Sequence, residues 1–103
     1  MGENLFEWDS GKETINIQKH GISFELAAQV FTDPNRIEMF DSKHSTMEEE
    51  RYITIGMLME ELIVLTVVYT ERKERIRIIS ARRATKEERM VYGYGNDSIY
   101  IGP

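Results

Sequence analysis

The feature that most constrains the fold is the segment 50–84, in which three apolar runs follow one another closely. The runs occupy residues 52–57, 62–69 and 76–79, and they are rich in Ile, Val, Tyr and Thr, which favour β-strands. Only short charged links separate the runs, whereas a parallel return would need a crossover of about a dozen residues. The segment therefore predicts a three-stranded antiparallel meander. In the middle run, both sets of alternating residues are apolar, so both sides of the strand are apolar. This predicts a central strand that is covered on both faces.

The rest of the chain predicts short elements on either side of this meander. Residues 5–8 and 36–40 have strand-like patterns. Asp9 and Ser10 can both cap the first helix. Ser10 with Glu13, and Thr85 with Glu88, have the spacing of a capping box at a helix start. Ser23 is a third cap, and Gly21 is a suitable residue to end the first helix. Two helices before a block of strands and one short helix after it predict an α+β fold, with the two N-terminal helices packed on one face of a mostly antiparallel sheet.

The length of 103 residues predicts a single domain spanning residues 1–103. The C-terminal helix is expected over residues 86–92, and the Gly-rich residues 93–103 are expected to form a flexible or loosely packed tail. The chain has no run of about 18–20 apolar residues that could span a membrane. It also shows no signal-peptide pattern, and it has no cysteine. These features predict a cytoplasmic protein.

The charge is distributed unevenly along the chain, although the net charge is −5. Residues 1–71 contain 5 Lys and Arg against 14 Asp and Glu, while residues 72–103 contain 8 against 4. A basic region on an acidic body suits a partner that carries phosphate or carboxylate groups. The simpler alternative is that these arginines are solvated or pair with glutamates of the same chain.

Few residue types remain that could carry chemistry. The two histidines, His20 and His44, lack the spacing of metal ligands, so neither a metal site nor a cofactor is expected. Arginine can stabilise the charge that builds up on a phosphate, and His or Glu can transfer protons. The structural alternatives are that His20 only caps a helix and that Arg82 and Arg83 only pair with Glu87 or Glu88. His44 lies in the polar loop 41–49 and is assigned no role.

Several short segments together resemble BrnT-type toxins. They are FEWD at 6–9, KHGISF at 19–24, VF at 30–31, DP at 33–34, DS at 41–42, HS at 44–45, EER at 49–51, Gly56, YTER at 69–72 and IRIISARRA at 76–84, followed by Glu88 and Tyr92. The resemblance covers residues 5–92. It implies a RelE-like fold and a type II toxin that acts as a ribonuclease without a cofactor. It also implies a partner, a BrnA-like antitoxin with a ribbon-helix-helix part that binds DNA.

Within this resemblance, residue roles can be assigned as predictions. The predicted catalytic residues are His20, Glu50, Arg72, Arg77 and Arg82. The predicted substrate-binding residues are Lys19, Arg51, Arg75 and Arg83. The arginines would hold the phosphate, and His20 or Glu50 would transfer protons. The alternative function is a non-catalytic module whose basic surface receives an acidic antitoxin segment. Direct DNA binding is less favoured, because the sequence has no helix-turn-helix pattern and no basic recognition helix.

Overall fold

The computed structural model describes residues 5–95, which form a five-stranded sheet and three α-helices. In chain order the elements are β1 (Phe6–Trp8), α1 (Ser10–His20), α2 (Phe24–Ala28), a 3₁₀ helix (Gln29–Thr32), β2 (Ile37–Phe40), β3 (Arg51–Leu58), β4 (Ile63–Arg72), β5 (Arg75–Arg83) and α3 (Lys86–Gly95). The predicted α+β class is therefore confirmed. Within residues 5–95, no helix has the length and apolar character needed to cross a membrane.

The strands are arranged in the order β1-β5-β4-β3-β2, which places β4 at the centre. Strands β3, β4 and β5 form the predicted antiparallel meander, and β2 adds to β3 in the same manner. Strand β1 instead runs parallel to β5, so the sheet is mixed. The sequence gives no sign of this pairing, because the paired residues, such as Phe6 and Ile76, are 70 positions apart.

One face of the sheet packs against the N-terminal half of the chain. The buried apolar side chains of this core are Ile22, Phe24, Ala27, Val30, Leu58, Leu65, Val67, Ile78 and Ala81. Leu65 on β4 is 1% exposed, which confirms the prediction of a buried central strand. Gly56 on β3 allows the 3₁₀ helix to approach closely. A Cβ atom at this position would lie 3.1 Å from the Val30 carbonyl oxygen.

The opposite face is covered by α3 at one end only. Side chains alternate along a strand, so Ile55 and Thr66, which are register partners, project away from the Leu65 face. Both are 0% exposed, and the Thr66 hydroxyl donates to Glu88 Oε1 on α3 at 2.8 Å. The helix continues to Gly95, although the Gly-rich pattern predicted its end near residue 92. The remainder of the predicted tail, residues 96–103, lies outside the described residues.

The predicted helix caps are mostly confirmed. Ser23 accepts a hydrogen bond from the Leu26 N–H at 3.1 Å, and Gly21 ends α1 with φ of 72°. Of the two candidate caps of α1, Asp9 takes the role by accepting the Lys12 N–H at 2.9 Å, so the capping box predicted for Ser10 and Glu13 is wrong. A carboxylate one residue earlier satisfies the same free N–H groups at the helix start.

Glu13 is therefore not part of a capping box at the start of α1. Its Oε2 instead accepts the N–H of Phe24 at 2.9 Å, and Phe24 is the first residue of α2. A carboxylate at a helix N-terminus also interacts favourably with the helix dipole. This one side chain thus links α1 to the start of α2.

Two buried polar side chains connect elements that are distant in the sequence. The Asn16 amide donates to the carbonyls of Ile22 and Ala81, each at 2.9 Å, and its Oδ1 accepts the Ala81 N–H at 3.0 Å. It thereby provides hydrogen-bond partners for the N–H and C=O groups of Ala81 on β5, which lies beyond the part of β5 that pairs with β1. Satisfying buried backbone groups is necessary because an unpaired one costs roughly 1–3 kcal/mol.

Asp33 joins the outer end of β3 to α3. Its Oδ2 accepts the Met57 N–H at 2.8 Å and the Tyr92 hydroxyl at 2.7 Å. Burial raises the pKa of Tyr92, and the hydrogen bond to Asp33 raises it further. Tyr92 is therefore a neutral hydrogen-bond donor at physiological pH, and it anchors the C-terminal helix.

Candidate functional site: an arginine face at the open end of the sheet

Four of the predicted site residues lie together on the same face of the sheet as α3, at the end that α3 leaves uncovered. We call this surface the arginine face; it consists of Arg51, Arg72, Arg75 and Arg77. The register places Arg51 opposite Thr70, Thr70 opposite Arg77, and Arg72 opposite Arg75. Because neighbouring strands are about 4.8 Å apart, the arginines of three strands are within reach of one short polyanion.

The four arginines differ in how strongly they are paired. Arg77 Nη1 lies 3.2 Å from one Glu7 oxygen, and Arg75 Nη1 lies 3.6 Å from the other. Arg51 Nε contacts Glu49 at 2.9 Å. Within residues 5–95, the Arg72 side chain forms neither an ion pair nor a hydrogen bond. Within residues 5–95, the four guanidinium groups of the arginine face are thus paired with two carboxylates, those of Glu7 and Glu49.

Two shallow depressions meet at Arg72. The first, of about 490 Å³, is lined by Glu7, Arg72, Lys73, Arg75 and Arg77. The second, of about 420 Å³, is lined by residues 47–50, Tyr52 and the end of β4 at Thr70, Glu71 and Arg72. Both are open to solvent and are lined largely by polar groups. Three arginines and a lysine line the first depression together with Glu7, whereas four glutamates line the second together with Arg72.

Glu50 lies on the rim of the second depression, beside Arg72. Its backbone carbonyl accepts the Thr70 hydroxyl at 2.7 Å, which fixes the end of the loop before β3. Its side chain accepts the Tyr52 hydroxyl at 3.0 Å. This hydrogen bond, followed by burial, raises the pKa of Tyr52. Tyr52 is therefore a proton donor in a hydrogen bond, and Glu50 is one of the carboxylates that line this depression together with Arg72.

The turn that supports the arginine face is strained. Lys73 and Glu74 connect β4 to β5, and both have positive φ, at 53° and 67°. A two-residue hairpin of this kind favours Asn-Gly, because a side chain in the left-handed region costs roughly 1–2 kcal/mol. The turn thus holds Arg72 and Arg75 directly opposite each other at a cost in backbone energy.

Arg82 projects from the same face but lies at the end that α3 covers. Its two terminal nitrogens donate to both oxygens of Glu88, at 2.8 and 2.9 Å. The ion pair lowers the pKa of Glu88 to about 2 and raises the pKa of Arg82. Glu88 also completes the predicted capping box with Thr85, at 2.8 and 3.1 Å. The structure therefore shows Arg82 fastening α3 to the sheet, as the simpler interpretation of the sequence expected for this residue, whereas no ion pair of Arg83 with Glu87 or Glu88 is found within residues 5–95.

Lys19, His20 and Arg83 lie on the other side of the sheet. His20 is in the last turn of α1, and it lines a small depression of about 100 Å³ together with Arg83 and apolar core residues such as Leu65. The structure does not bring His20 to the arginine face. The predicted catalytic set is thus divided among three places: the arginine face with Glu50, the Arg82–Glu88 ion pair, and the end of α1.

The sequence interpretation missed a second histidine, which lies near the arginine face. Nδ1 of His44 is 3.0 Å from Oδ2 of Asp41. Asp41 is 6% exposed, and its N–H donates to the Arg51 carbonyl at 2.8 Å. The sequence does contain a signal for this pair: an Asp and a His lie three residues apart in a stretch that resembles BrnT toxins.

In the part of the chain that the structure describes, His, Asp and Glu side chains form no group of three or more that could hold a metal ion.

The fold and this surface define a class: a small α+β protein that presents clustered arginines suited to phosphate. Comparison with protein families identifies a more specific relationship. Residues 8–88 match the family described as "Ribonuclease toxin, BrnT, of type II toxin-antitoxin system". The chain therefore belongs to the BrnT family, which confirms the resemblance seen in the sequence. A type II system implies a protein antitoxin as the partner. No curated protein matches the chain.

Proposed function

We propose that this protein is a cytoplasmic, metal-independent endoribonuclease toxin whose active surface is the arginine face. The observation that carries the proposal is Arg72, a guanidinium without an ion pair in residues 5–95 that lies at the junction of two open depressions. Such a group suits a phosphate, because its planar fork matches two phosphate oxygens. The mixed sheet with helices on both faces also supports the RelE-like fold that the resemblance implies.

In the proposed reaction, the RNA supplies its own nucleophile. The 2′-hydroxyl attacks the neighbouring phosphorus, and Glu50 accepts the proton that the hydroxyl loses. Arg72 and Arg77 stabilise the negative charge that grows on the phosphate oxygens, which is the largest contribution expected from fixed donors. Arg51 holds the same phosphate on the side of the departing 5′-oxygen, and Arg75 binds a flanking phosphate. The bond to the 5′-oxygen then breaks, leaving a 2′,3′-cyclic phosphate on one product.

The test is cleavage of RNA by purified protein in the presence of EDTA. Wild-type protein should cleave RNA, and Arg72→Ala should lower the rate roughly 10²–10³-fold, as expected for loss of one transition-state donor. Arg36→Ala is the matched control, because Arg36 also lies on the surface and pairs with a glutamate, but at the start of β2. Equal loss in both variants, or cleavage that stops in EDTA, would contradict the proposal.

We further propose that the antitoxin covers the arginine face with an acidic segment. The proposed partner is a BrnA-like ribbon-helix-helix protein, so DNA would be bound only through it. Charge complementarity supports this contact, because residues 72–103 carry 8 Lys and Arg against 4 Asp and Glu. Arg75→Glu combined with Arg77→Glu should weaken the complex in a binding titration. Unchanged affinity would place the antitoxin elsewhere.

The second candidate function is a non-catalytic module that only binds the antitoxin. The observation that favours it is the partial neutralisation of Arg75 and Arg77 by Glu7. Induced expression separates the two functions: growth arrest with RNA loss supports the enzyme, while harmless expression together with tight antitoxin binding supports the module.

A further inference from the structure

We propose that His44, oriented by Asp41, is the proton donor to the leaving 5′-oxygen in RNA cleavage. This inference rests on the proposed ribonuclease function and adds to it a residue that the sequence interpretation left without a role. It replaces His20 as the histidine of the site, because His20 lies across the sheet from the arginine face.

Strand pairing places Asp41 at the side of the arginine face. Asp41 directly follows β2, and its N–H donates to the carbonyl of Arg51 on β3 at 2.8 Å. It therefore continues the row of register partners formed by Arg51, Thr70, Arg77 and Glu7. Since adjacent strands are about 4.8 Å apart, Asp41 is one strand from Arg51 and roughly 10 Å from Thr70. The Asp41–His44 pair thus lies at the side of the arginine face.

Asp41 also orients the imidazole of His44. Asp41 is 6% exposed, and its two oxygens bind His44 twice: Oδ2 lies 3.0 Å from Nδ1, and Oδ1 accepts the His44 N–H at 3.3 Å. The His44 side chain is 59% exposed. No partner of Nε2 is found within residues 5–95. A buried carboxylate on one ring nitrogen and an accessible second nitrogen is the arrangement that proton transfer by histidine requires.

The loop that carries His44 is held to β3 by hydrogen bonds of Ser45. The Ser45 hydroxyl donates to the Asp41 carbonyl at 2.7 Å and accepts the Arg51 N–H at 2.8 Å. The loop is therefore bonded to the first residue of β3, and the distance between His44 and Arg51 is restrained. A phosphate held by Arg51 would lie next to the imidazole.

The proton balance of the step is complete. As the 2′-oxygen bonds to phosphorus, its proton passes to Glu50, and the bond from phosphorus to the 5′-oxygen breaks. The imidazolium form of His44 gives its Nε2 proton to this departing oxygen. The products are a 2′,3′-cyclic phosphate and a 5′-hydroxyl. His44 becomes neutral, with Asp41 still bound to Nδ1, and it regains a proton from water while Glu50 releases one.

The competing explanation is that the pair only holds the loop together. A purely structural role predicts that His44→Ala slows all substrates equally, through misplacement of Arg51. A proton donor predicts a dependence on the leaving group. A nitrophenolate leaves without being protonated, so its departure does not need His44.

The experiment compares two substrates with each variant. One is a short RNA, and the other is a ribonucleotide 3′-(4-nitrophenyl phosphate). His44→Ala should slow RNA cleavage roughly 10²–10⁴-fold, whereas cleavage of the nitrophenyl ester should fall less than about tenfold. Asp41→Asn should show the same selectivity to a smaller degree, because it weakens the orientation of the ring. Ser42→Ala, a change in the same exposed loop, should leave both rates unchanged.

Each outcome has a distinct meaning. Equal slowing of both substrates by His44→Ala, or no slowing, overturns the proton-donor role and leaves the ribonuclease proposal intact. Failure of the wild-type protein to cleave either substrate overturns the ribonuclease proposal and the role of His44 with it.

Discussion

Strand β5 carries Arg77 and Arg82 on the same face of the sheet, but the two side chains have different surroundings. Arg82 is held by both oxygens of Glu88 at 2.8 and 2.9 Å, beneath the helix that covers this end. Arg77 shares Glu7 with Arg75 through longer contacts of 3.2 and 3.6 Å. About 15 Å of strand separates the two arginines, at roughly 3.3 Å per residue.

The difference shows that the number of arginines on a strand does not predict how many are available to a ligand. A phosphate at Arg82 would have to displace a bidentate carboxylate, which is among the strongest side-chain pairings. A phosphate at Arg77 would compete only with a glutamate that is already shared. We therefore expect the two ends of β5 to respond differently to mutation, with loss of activity at one end and loss of stability at the other.

The largest expected effect is at the open end. Arg77→Ala should lower the rate of RNA cleavage roughly 10²–10³-fold. The melting temperature should change little, because partly exposed ion pairs contribute only about 0–1 kcal/mol. A cleavage assay and thermal denaturation of the same preparation measure both quantities, with Arg36→Ala as the control. Full activity in Arg77→Ala would remove this residue from the site.

The next effect is at the covered end. Arg82→Ala leaves the Glu88 carboxylate without its main partner, and we expect a loss of about 1–3 kcal/mol in the free energy of unfolding. For a domain of this size, each kcal/mol corresponds to a fall of roughly 4–8 °C in Tm. The activity of the folded protein should be retained. If activity is lost at unchanged Tm, the catalytic role predicted for Arg82 from the sequence is correct.

A smaller effect concerns acid stability of the covered end. Folding lowers the pKa of Glu88 from 4.5 to about 2, so the ionised form stabilises the folded state. This contribution is complete above about pH 5 and is lost as the pH falls from 4.5 towards 2. Allowing for solvent screening, we expect it to be about 1 kcal/mol. Denaturant titrations of wild type and Glu88→Gln should converge at low pH, and parallel curves would argue against this ion pair.

The smallest effect concerns the turn beside Arg72. Lys73→Asn with Glu74→Gly replaces two side chains at positive φ with residues that tolerate it. We expect a gain of roughly 0.5–1 kcal/mol, after the greater freedom of glycine in the unfolded chain is subtracted. The melting temperature should rise by a few degrees. A fall in Tm would indicate that the turn is not strained.

Much of the architecture follows from local patterns. The apolar runs predicted the meander and its central strand, because alternation and short links restrict how strands can pair. Ser23, Gly21 and the Thr85–Glu88 box were predictable because a cap bonds to residues that are near in sequence. Asp9 and Ser10 could not be distinguished, since both side chains can reach the same N–H groups. The end of α3 was predicted too early, near residue 92, because the glycines that follow have a low helix propensity. The helix nevertheless continues to Gly95.

The sequence by itself thus determined the strand count, the central position of β4, the helix starts and the supply of arginines. Only the tertiary structure decided which arginine is available. The Glu7 contact to Arg77 spans 70 residues and depends on the parallel register of β1 with β5. The position of His44 beside the arginine face, and of His20 across the sheet from it, likewise depends on how the elements pack. Local hydrogen bonds depend on nearby residues, whereas the pairing of side chains from distant segments is settled only once the sheet has assembled.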